Sequence, residues 1–221
     1  MQHADFIIFF IFQMALGLCV GSFLNVVIYR IPRGISIILP PSYCPACFSR
    51  IKWYDLIPFL SWFILNSKCR YCSKEISLRY PFVEILTGFL FAFAGFISYY
   101  QYGNNLIFNL FSSWILISLL ISISLIDIDE LIIPNCLVIP GILLGFVLPF
   151  LSNDSTFVFS NISFSERIYS SMSSLLLFSA ISCLGEKLFN KPILGLGDAK
   201  LFAFSGAWLG FYGIELVGII S

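Results

Sequence analysis

The sequence predicts an all-α integral membrane protein, with about six transmembrane helices and a cytoplasmic zinc-binding loop. Of its 221 residues, 59% are hydrophobic and only 11% are charged, whereas roughly a quarter of a soluble domain is charged. Apolar runs of about 20 residues, the length that crosses a bilayer, recur along the chain. The exception is a polar segment at residues 30–80, which contains two Cys-x-x-Cys pairs. These three features together predict a helical membrane protein with one structured loop.

The apolar runs divide the chain into three parts. The first run, residues 6–28, has no basic flank before it and no Ala-x-Ala-like site after it, so we expect a retained span rather than a cleaved signal peptide. The other five predicted spans are residues 82–100, 106–126, 131–151, 168–189 and 201–220. The predicted domains are therefore the first transmembrane helix (1–29), the zinc loop (30–80) and a core of about five helices (81–221). Within the loop, residues 55–65 are too short to span, and we expect them to pack on the bundle or to lie in the interface.

The distribution of basic residues predicts the orientation. With six spans, eleven of the twelve Lys and Arg residues share one face: eight in residues 30–80, and Lys187, Lys191 and Lys200. Only Arg167 is on the other face. The positive-inside rule makes the basic face cytoplasmic, which puts Asp127 and Asp198 on that side and both termini outside. The net charge is zero, and we expect the lipid bilayer, not nucleic acid, as a partner.

The four cysteines of the polar segment predict a metal site. Cys44 and Cys47 form one pair, and Cys69 and Cys72 form the other. Two such pairs can close a tetrahedral four-thiolate shell around Zn²⁺. The alternative is two disulfides, but thiols stay reduced in the cytoplasm. A closed shell leaves no position open for substrate, so we interpret the zinc as structural.

Two carboxylates stand out because acids are costly at the ends of membrane helices. Asp127 lies at the end of the third predicted span, before Pro134, which cannot continue a helix. Glu130 shares the helical face of Asp127 and Asp129 does not. We interpret Asp129 and Glu130 as a solvated turn and Asp127 as functional.

The second carboxylate, Asp198, lies in the hexapeptide Gly195-Leu196-Gly197-Asp198-Ala199-Lys200. An Asp just before a helix is also a good N-cap. Gly195 and Gly197 remove side chains beside it, so a substrate backbone or another helix can come close. The pattern is not a dinucleotide loop, because it has no third glycine and no preceding strand.

A pair of such carboxylates predicts hydrolysis. Two neighbouring acids share a proton, so that one activates a water molecule while the other polarises a carbonyl group. The only histidine is His3, near the outward terminus, so a Ser-His triad is not available.

These residues resemble the type IV prepilin peptidases, membrane aspartyl peptidases with a Gly-x-Gly-Asp motif. The matching features are the segment Gly21-Ser22-Phe23-Leu24-Asn25-Val26 with Tyr29-Arg30, the two Cys-x-x-Cys pairs, Arg79-Tyr80-Pro81 with Glu84, Asp127 with Pro134-Asn135, and Gly195 to Lys200. They occur in family order between residues 21 and 200. A lone Gly-x-Gly-Asp is weak, but the ordered set is specific.

The resemblance implies a catalytic dyad of Asp127 and Asp198, supported by Gly195, Gly197 and Lys200. It implies cleavage of the basic leader of prepilins or type II secretion pseudopilins, after a glycine and on the cytoplasmic side. It further implies methylation of the new N-terminus from S-adenosylmethionine, in a multi-pass protein of the bacterial inner membrane. The residues that the resemblance places near the methylation site are Gly21, Asn25 and Arg30.

Two other functions compete with this prediction. A proton-coupled carrier would use intramembrane acids as a relay, but it would show acids near mid-membrane and repeat symmetry. A non-enzymatic zinc adaptor would leave the Gly-x-Gly-Asp pattern unexplained. Family members usually continue for one or two spans beyond the Asp198 helix, whereas this sequence ends at Ser221, so we expect a short member or a truncated chain. The sequence does not predict the oligomeric state.

Overall fold

The structure is a computed structural model that describes residues 2–101, 106–151, 162–189 and 195–220. In these ranges the chain is helical, with two isolated β-bridges and no longer strand. The helices are α1 (Gln2–Arg30), α2 (Leu60–Ile64), α3 (Arg79–Gln101), α4 (Leu106–Glu130), α5 (Asn135–Leu151), α6 (Phe164–Phe189) and α7 (Leu196–Ile220), with a short 3-10 helix at Trp53–Leu56. The predicted all-α fold class is confirmed.

The six longer helices coincide with the six predicted spans. Four of them contain segments long and apolar enough to cross a membrane: Asp5–Arg30, Arg79–Tyr100, Leu106–Glu130 and Phe164–Gly185. Helix α5 contributes a shorter apolar stretch, Asn135–Pro149. Helix α7 includes residues 216–220, whose side chains lie outside the described part of the chain. The molecule is therefore a multi-pass membrane protein.

The chain forms two compact units. The first contains Met1–Leu106 and Ser113–Glu130, and the second contains Ile107–Ser112 and Leu131–Ser221. The four-cysteine segment belongs to the first unit, together with α1 and α3. The Gly-x-Gly-Asp segment belongs to the second, together with α5, α6 and α7.

In the first unit, glycines let α1 and α3 pack with their backbones close together. A Cβ atom on Gly17 would lie 2.7 Å from the Cα of Gly88, and one on Gly21 would lie 2.7 Å from the Cα of Glu84. Gly17 and Gly21 are four residues apart and so share a helix face. Small residues at this spacing are typical of close helix packing in membranes. This contact fixes Glu84 against the C-terminal half of α1.

In the second unit, α6 and α7 also approach closely. A Cβ atom on Gly206 would lie 2.9 Å from the backbone nitrogen of Ser171, and the Ser170 hydroxyl donates a hydrogen bond to the Gly206 carbonyl at 2.9 Å. The rings of Phe178 and Phe202 stack with centroids 3.7 Å apart. The absence of a side chain at Gly206 therefore lets the two helix backbones pack closely.

Helix α7 is broken at Gly210, which has φ +61° and ψ −148°. The break frees carbonyl groups in the preceding turn from their usual helical donors. The buried guanidinium of Arg167 donates from Nη1 to two of these carbonyls, at 3.2 Å to Ala207 and 2.6 Å to Trp208. The Trp208 indole in turn donates to the Gly141 carbonyl of α5 at 2.9 Å. Arg167 is therefore a structural part of the second unit.

Candidate functional site

The four predicted metal ligands lie together. The Sγ atoms of Cys44, Cys47, Cys69 and Cys72 are all within 4.8 Å of one another. The distances are 3.9 Å between Cys44 and Cys72, and 4.0 Å between Cys47 and Cys69. A tetrahedral zinc site with Zn–S bonds of about 2.3 Å requires sulfur atoms about 3.8 Å apart. All seven cysteines of the chain are free thiols, so the geometry fits a four-thiolate metal site and not the alternative of two disulfides.

Each cysteine pair sits on the same kind of turn. In the first, the Cys44 N–H donates to the Ser49 carbonyl and the Phe48 N–H donates to the Cys44 carbonyl, at 3.0 and 2.8 Å. In the second, Cys69 and Ser73 repeat the pattern with the carbonyls of Lys74 and Cys69, at 2.8 and 3.0 Å. Phe48 and Ser73, each directly after the second cysteine, both have positive φ, at 58° and 57°. The two halves of the site therefore have matching backbones.

The four thiols of this cluster lie close enough together for their ionised forms to repel one another. A hydrogen bond with the Ser49 hydroxyl lowers the pKa of Cys47 to about 6. The backbone N–H of Lys74 acts to lower the pKa of Cys72, but burial and hydrogen bonds with the other thiols raise it to about 11. Four thiolates at this distance repel one another unless a cation lies between them. A divalent metal would relieve that repulsion.

A cavity of about 410 Å³ lies beside the cysteine cluster, in the first unit. Its walls come from the end of α1, the four-cysteine segment and the start of α3. Cys44 and Cys69 line it, so the metal cluster forms part of its wall. This volume falls within the range of small-molecule binding sites.

The three residues predicted for methylation have different positions. Asn25 and Arg30 line the cavity, whereas Gly21 lies in the contact between α1 and α3. Asn25 donates from Nδ2 to the Tyr80 carbonyl at 3.1 Å, which joins α1 to α3. Arg30 is buried and donates to the carbonyls of Ser36 and Pro41, at 2.9 and 3.5 Å. Arg30 thus holds the first part of the polar segment in place.

Glu84 also lines the cavity. In the sequence it stands out only through its motif with Arg79-Tyr80-Pro81. It is 8% exposed, and its Oε2 accepts a hydrogen bond from the Phe59 N–H at 2.7 Å. This bond ties the apolar residues 55–65 to α3 at Phe59, while the side chains of Leu60, Phe63 and Ile64 stay exposed. A buried acid in an apolar helix was the available signal, because such residues are costly and mark functional positions.

The end of α4 holds the first predicted catalytic acid. Asp127 is partly buried in the last two turns of that helix. Its neighbours Asp129 and Glu130 are exposed to solvent, as predicted, but they lie in the last turn of α4 and form ion pairs within the first unit. Asp129 pairs with Arg79 at 2.5 Å, and Glu130 pairs with Arg33 at 2.7 Å. These pairs join the end of α4 to the start of α3 and to the residues that directly follow α1.

Asp198 lies in the first turn of α7, three residues after Gly195. Its Oδ2 accepts a hydrogen bond from the Gly195 N–H at 3.1 Å, which is the reciprocal half of a capping box. It therefore caps the helix from inside the first turn and not from the position before the helix. Gly197 faces Ile133, since a Cβ atom there would lie 3.0 Å from its Cδ1. The absence of a side chain at Gly197 therefore lets Ile133 pack closely against it in this structure.

Lys200 joins the starts of two helices in the second unit. Its Nζ donates to Oδ1 of Asn135 at 2.7 Å. Asn135 begins α5 and Lys200 lies in the second turn of α7.

The two predicted catalytic acids lie in different units. Asp127 belongs to the first unit and Asp198 to the second, and their pairing in one site stays a prediction.

Two family models match the chain. The Bacterial Peptidase A24 N-terminal domain matches residues 15–98, and the Type IV leader peptidase family matches residues 114–221. The first range contains the cavity and the four cysteines. The second contains Asp127 and Asp198.

Curated relatives agree with the family models. A prepilin leader peptidase/N-methyltransferase of Myxococcus xanthus is 40% identical over 203 residues, which cover 91% of this chain and 56% of the relative. Proteins of the same name from Klebsiella pneumoniae and Neisseria gonorrhoeae are 36% and 35% identical, and the matches cover 82% and 76% of their lengths. No solved structure matches the chain.

Proposed function

Because the chain belongs to the type IV leader peptidase family, we propose that it is a membrane aspartyl endopeptidase that removes the basic leader of type IV prepilins or type II secretion pseudopilins. The observation that carries the proposal is the family match over residues 114–221, which contain both Asp127 and Asp198. Family membership also favours this function over a proton-coupled carrier or a zinc adaptor.

In the proposed reaction, Asp127 and Asp198 form the catalytic dyad. One carboxylate takes a proton from water while the other, protonated, polarises the scissile carbonyl. The water oxygen attacks the carbonyl carbon after the leader's glycine, the C–N bond breaks, and the released amine takes a proton. Gly195, Gly197 and Lys200 support the dyad by shaping and fixing the start of α7. The bond from Lys200 to Asn135 is consistent with this positioning role.

The proposal includes methylation of the new N-terminal residue. The relatives in Myxococcus, Klebsiella and Neisseria carry this activity in their names, and S-adenosylmethionine is the proposed donor. The amine's lone pair would bond to the methyl carbon, the C–S bond electrons would stay on sulfur, and the amine would lose a proton. The four cysteines would hold a structural Zn²⁺ that stiffens the wall of the neighbouring cavity.

The proposed location is the bacterial inner membrane. The charge bias of the sequence supports a cytoplasmic position for the cysteine segment and for both aspartates. That side is also where the basic leader of an uncleaved prepilin would remain, since basic segments stay cytoplasmic.

Co-expression with a prepilin tests the peptidase function. We expect the wild type to shorten the prepilin, and Asp127→Asn and Asp198→Asn each to abolish this shortening. Asp129→Asn is the matched control, because Asp129 lies beside Asp127 in the chain but pairs with Arg79, and it should retain cleavage. Cleavage at the wild-type rate by either dyad variant would show that the dyad is assigned wrongly.

A further inference from the structure

The short helix α2 turns an apolar face away from the rest of the first unit. The side chains of Leu60, Phe63 and Ile64 are each more than half exposed. They lie at positions i, i+3 and i+4, so they share one side of the helix. The other side faces the protein, where the indole Nε1 of the partly buried Trp62 donates to the Ile76 carbonyl at 3.1 Å. Helix α2 is therefore amphipathic, with its apolar side outward.

The 3-10 helix before α2 extends this apolar surface. Trp53 is 79% exposed, and Ile57 is also exposed. The only charged residue among residues 53–64 is Asp55, whose carboxylate is nearly buried and forms an ion pair with Arg70. Residues 53–64, here called the apolar segment, thus present aromatic and aliphatic side chains and no unpaired charge. Exposed apolar surface of this kind marks an interaction site.

A hydrogen bond fixes the depth of the apolar segment beside a membrane-spanning helix. The Phe59 N–H, directly before α2, donates to Oε2 of Glu84 at 2.7 Å. The candidate span in α3 begins at Arg79, so Glu84 lies about 7.5 Å along it at 1.5 Å per residue. The packing of α1 gives the same result. Glu84 is level with Gly21, whose Cβ would lie 2.7 Å from the Glu84 Cα, and the span in α1 continues beyond Gly21 to Arg30.

This depth corresponds to the interface of a bilayer. Long side chains on a helix point back toward its start, so the bond to Glu84 holds Phe59 beside the first turns of the span. The polar zone on each side of the hydrocarbon core is about 5–8 Å thick, which is close to the distance between Arg79 and Glu84 along the helix. An outward apolar face at this level meets lipid, since the ends of α1 and α3 lie in the same zone.

Exposed basic residues flank the apolar segment on both sides. Lys52 directly precedes it and Lys68 follows α2. The Lys52 Nζ lies 5.6 Å from the centroid of the Tyr54 ring. The Lys68 N–H donates to the Leu65 carbonyl at 3.0 Å, which keeps this lysine beside the end of α2. Lysines next to Trp and Tyr side chains are typical of the headgroup level of a membrane, and their charge complements anionic phosphates.

We infer that the apolar segment is an interfacial anchor that lies in the surface of the lipid bilayer. The apolar side of α2 contacts the acyl chains, and Lys52 and Lys68 contact anionic phosphate groups. The segment is too short to span, so it enters and leaves the bilayer on one side. Because it lies between the two Cys-x-x-Cys pairs in the chain, it holds the four-cysteine segment against the membrane. The inference depends on membrane insertion of the chain and not on its peptidase or methylation activity.

Photo-cross-linking of the wild-type full chain to lipid tests the inference. The protein is placed in nanodiscs that contain a phospholipid with a diazirine in its acyl chain, and labelled residues are mapped by mass spectrometry. Phe93, exposed in the span of α3, is the internal reference for lipid contact, and the buried Phe91 is the reference for its absence. We expect the apolar segment to be labelled like Phe93. Labelling of Phe93 with none in residues 53–64 would overturn the inference, because the segment would then face water or another protein.

The flanking lysines give a second test. Two forms of the probe, phosphatidylglycerol and phosphatidylcholine, differ in headgroup charge. We expect the anionic form to label the apolar segment more strongly, and this preference to be lost when Lys52→Gln and Lys68→Gln are combined. Lys187→Gln, at an exposed lysine of the second unit, is the control and should keep the preference. An equal preference in the wild type and the double variant would overturn the assigned phosphate contacts.

Neither measurement uses a prepilin or a methyl donor, so their failure would leave the proposed function untouched. The thermal midpoint confirms that each lysine variant is folded.

Discussion

At the scale of single residues, Asp198 combines a structural contact with a proposed chemical role. Its carboxylate caps the start of α7 through the Gly195 N–H. An asparagine keeps an oxygen that can accept this hydrogen bond, whereas an alanine does not. The two substitutions therefore separate loss of the carboxylate from loss of the capping hydrogen bond.

This difference gives a prediction for stability. Asp198→Ala should lower the free energy of unfolding by about 0.5–2 kcal/mol, the usual cost of a lost cap, while Asp198→Asn should lower it much less. Thermal unfolding of the purified variants in detergent measures both. Equal destabilisation by the two substitutions would mean that the bond to Gly195 does not stabilise the helix.

Arg167 is a second residue whose role is visible only in the structure. It is 1% exposed and fills the break in α7 by donating to Ala207 and Trp208. Arg167→Met keeps most of the apolar stem but leaves buried carbonyls without a donor. We expect a loss of about 1–3 kcal/mol in the free energy of unfolding, read from the same thermal assay. Arg50→Met, at an exposed arginine of the polar segment, is the control and should change stability little.

At the scale of the elements, the positions of the helices could be predicted because hydrophobicity and length decide them. The four-cysteine cluster could also be predicted, since the spacing of the ligands lies in the sequence. The ion pairs of Asp129 and Glu130 could not, because their arginine partners are distant in the chain. The break at Gly210, which Arg167 fills, could not be predicted either, because it depends on how α6 and α7 pack. Glu84 was recognisable as a motif residue, but its place in a cavity depends on the folded loop.

The glycine contact between α1 and α3 leads to a prediction at this scale. Gly21→Leu would place side-chain atoms where the Cα of Glu84 now lies, so the helices must separate. Overpacking of this kind costs about 1–3 kcal/mol. Ala15→Leu on the exposed side of the same helix is the matched control. Similar thermal midpoints for the two variants would argue against close packing at Gly21.

The four-cysteine segment gives a prediction about metal content. Cys44→Ser removes one of four ligands and should reduce bound zinc, measured by elemental analysis of the purified protein. Cys183→Ser changes an exposed thiol on α6 and should leave the zinc content unchanged. Zinc at the wild-type ratio in Cys44→Ser would contradict a four-thiolate site.

At the scale of the whole molecule, the described features divide between the two compact units. The first unit contains the four-cysteine cluster and the neighbouring cavity. The second contains the Gly-x-Gly-Asp segment, beside which Lys200 bonds to Asn135. Asp127 lies near the end of α4 in the first unit, so the proposed dyad draws one acid from each unit. Cleavage would then depend on both units.

The most direct test of the proposed function is mass spectrometry of the N-terminus of a prepilin co-expressed with this protein. The proposal predicts a mature N-terminus that begins directly after the leader's glycine and carries one methyl group. It also predicts an uncut, unmethylated prepilin with either Asp127→Asn or Asp198→Asn. An intact leader in the presence of the well-folded wild-type protein and its zinc would contradict the proposal.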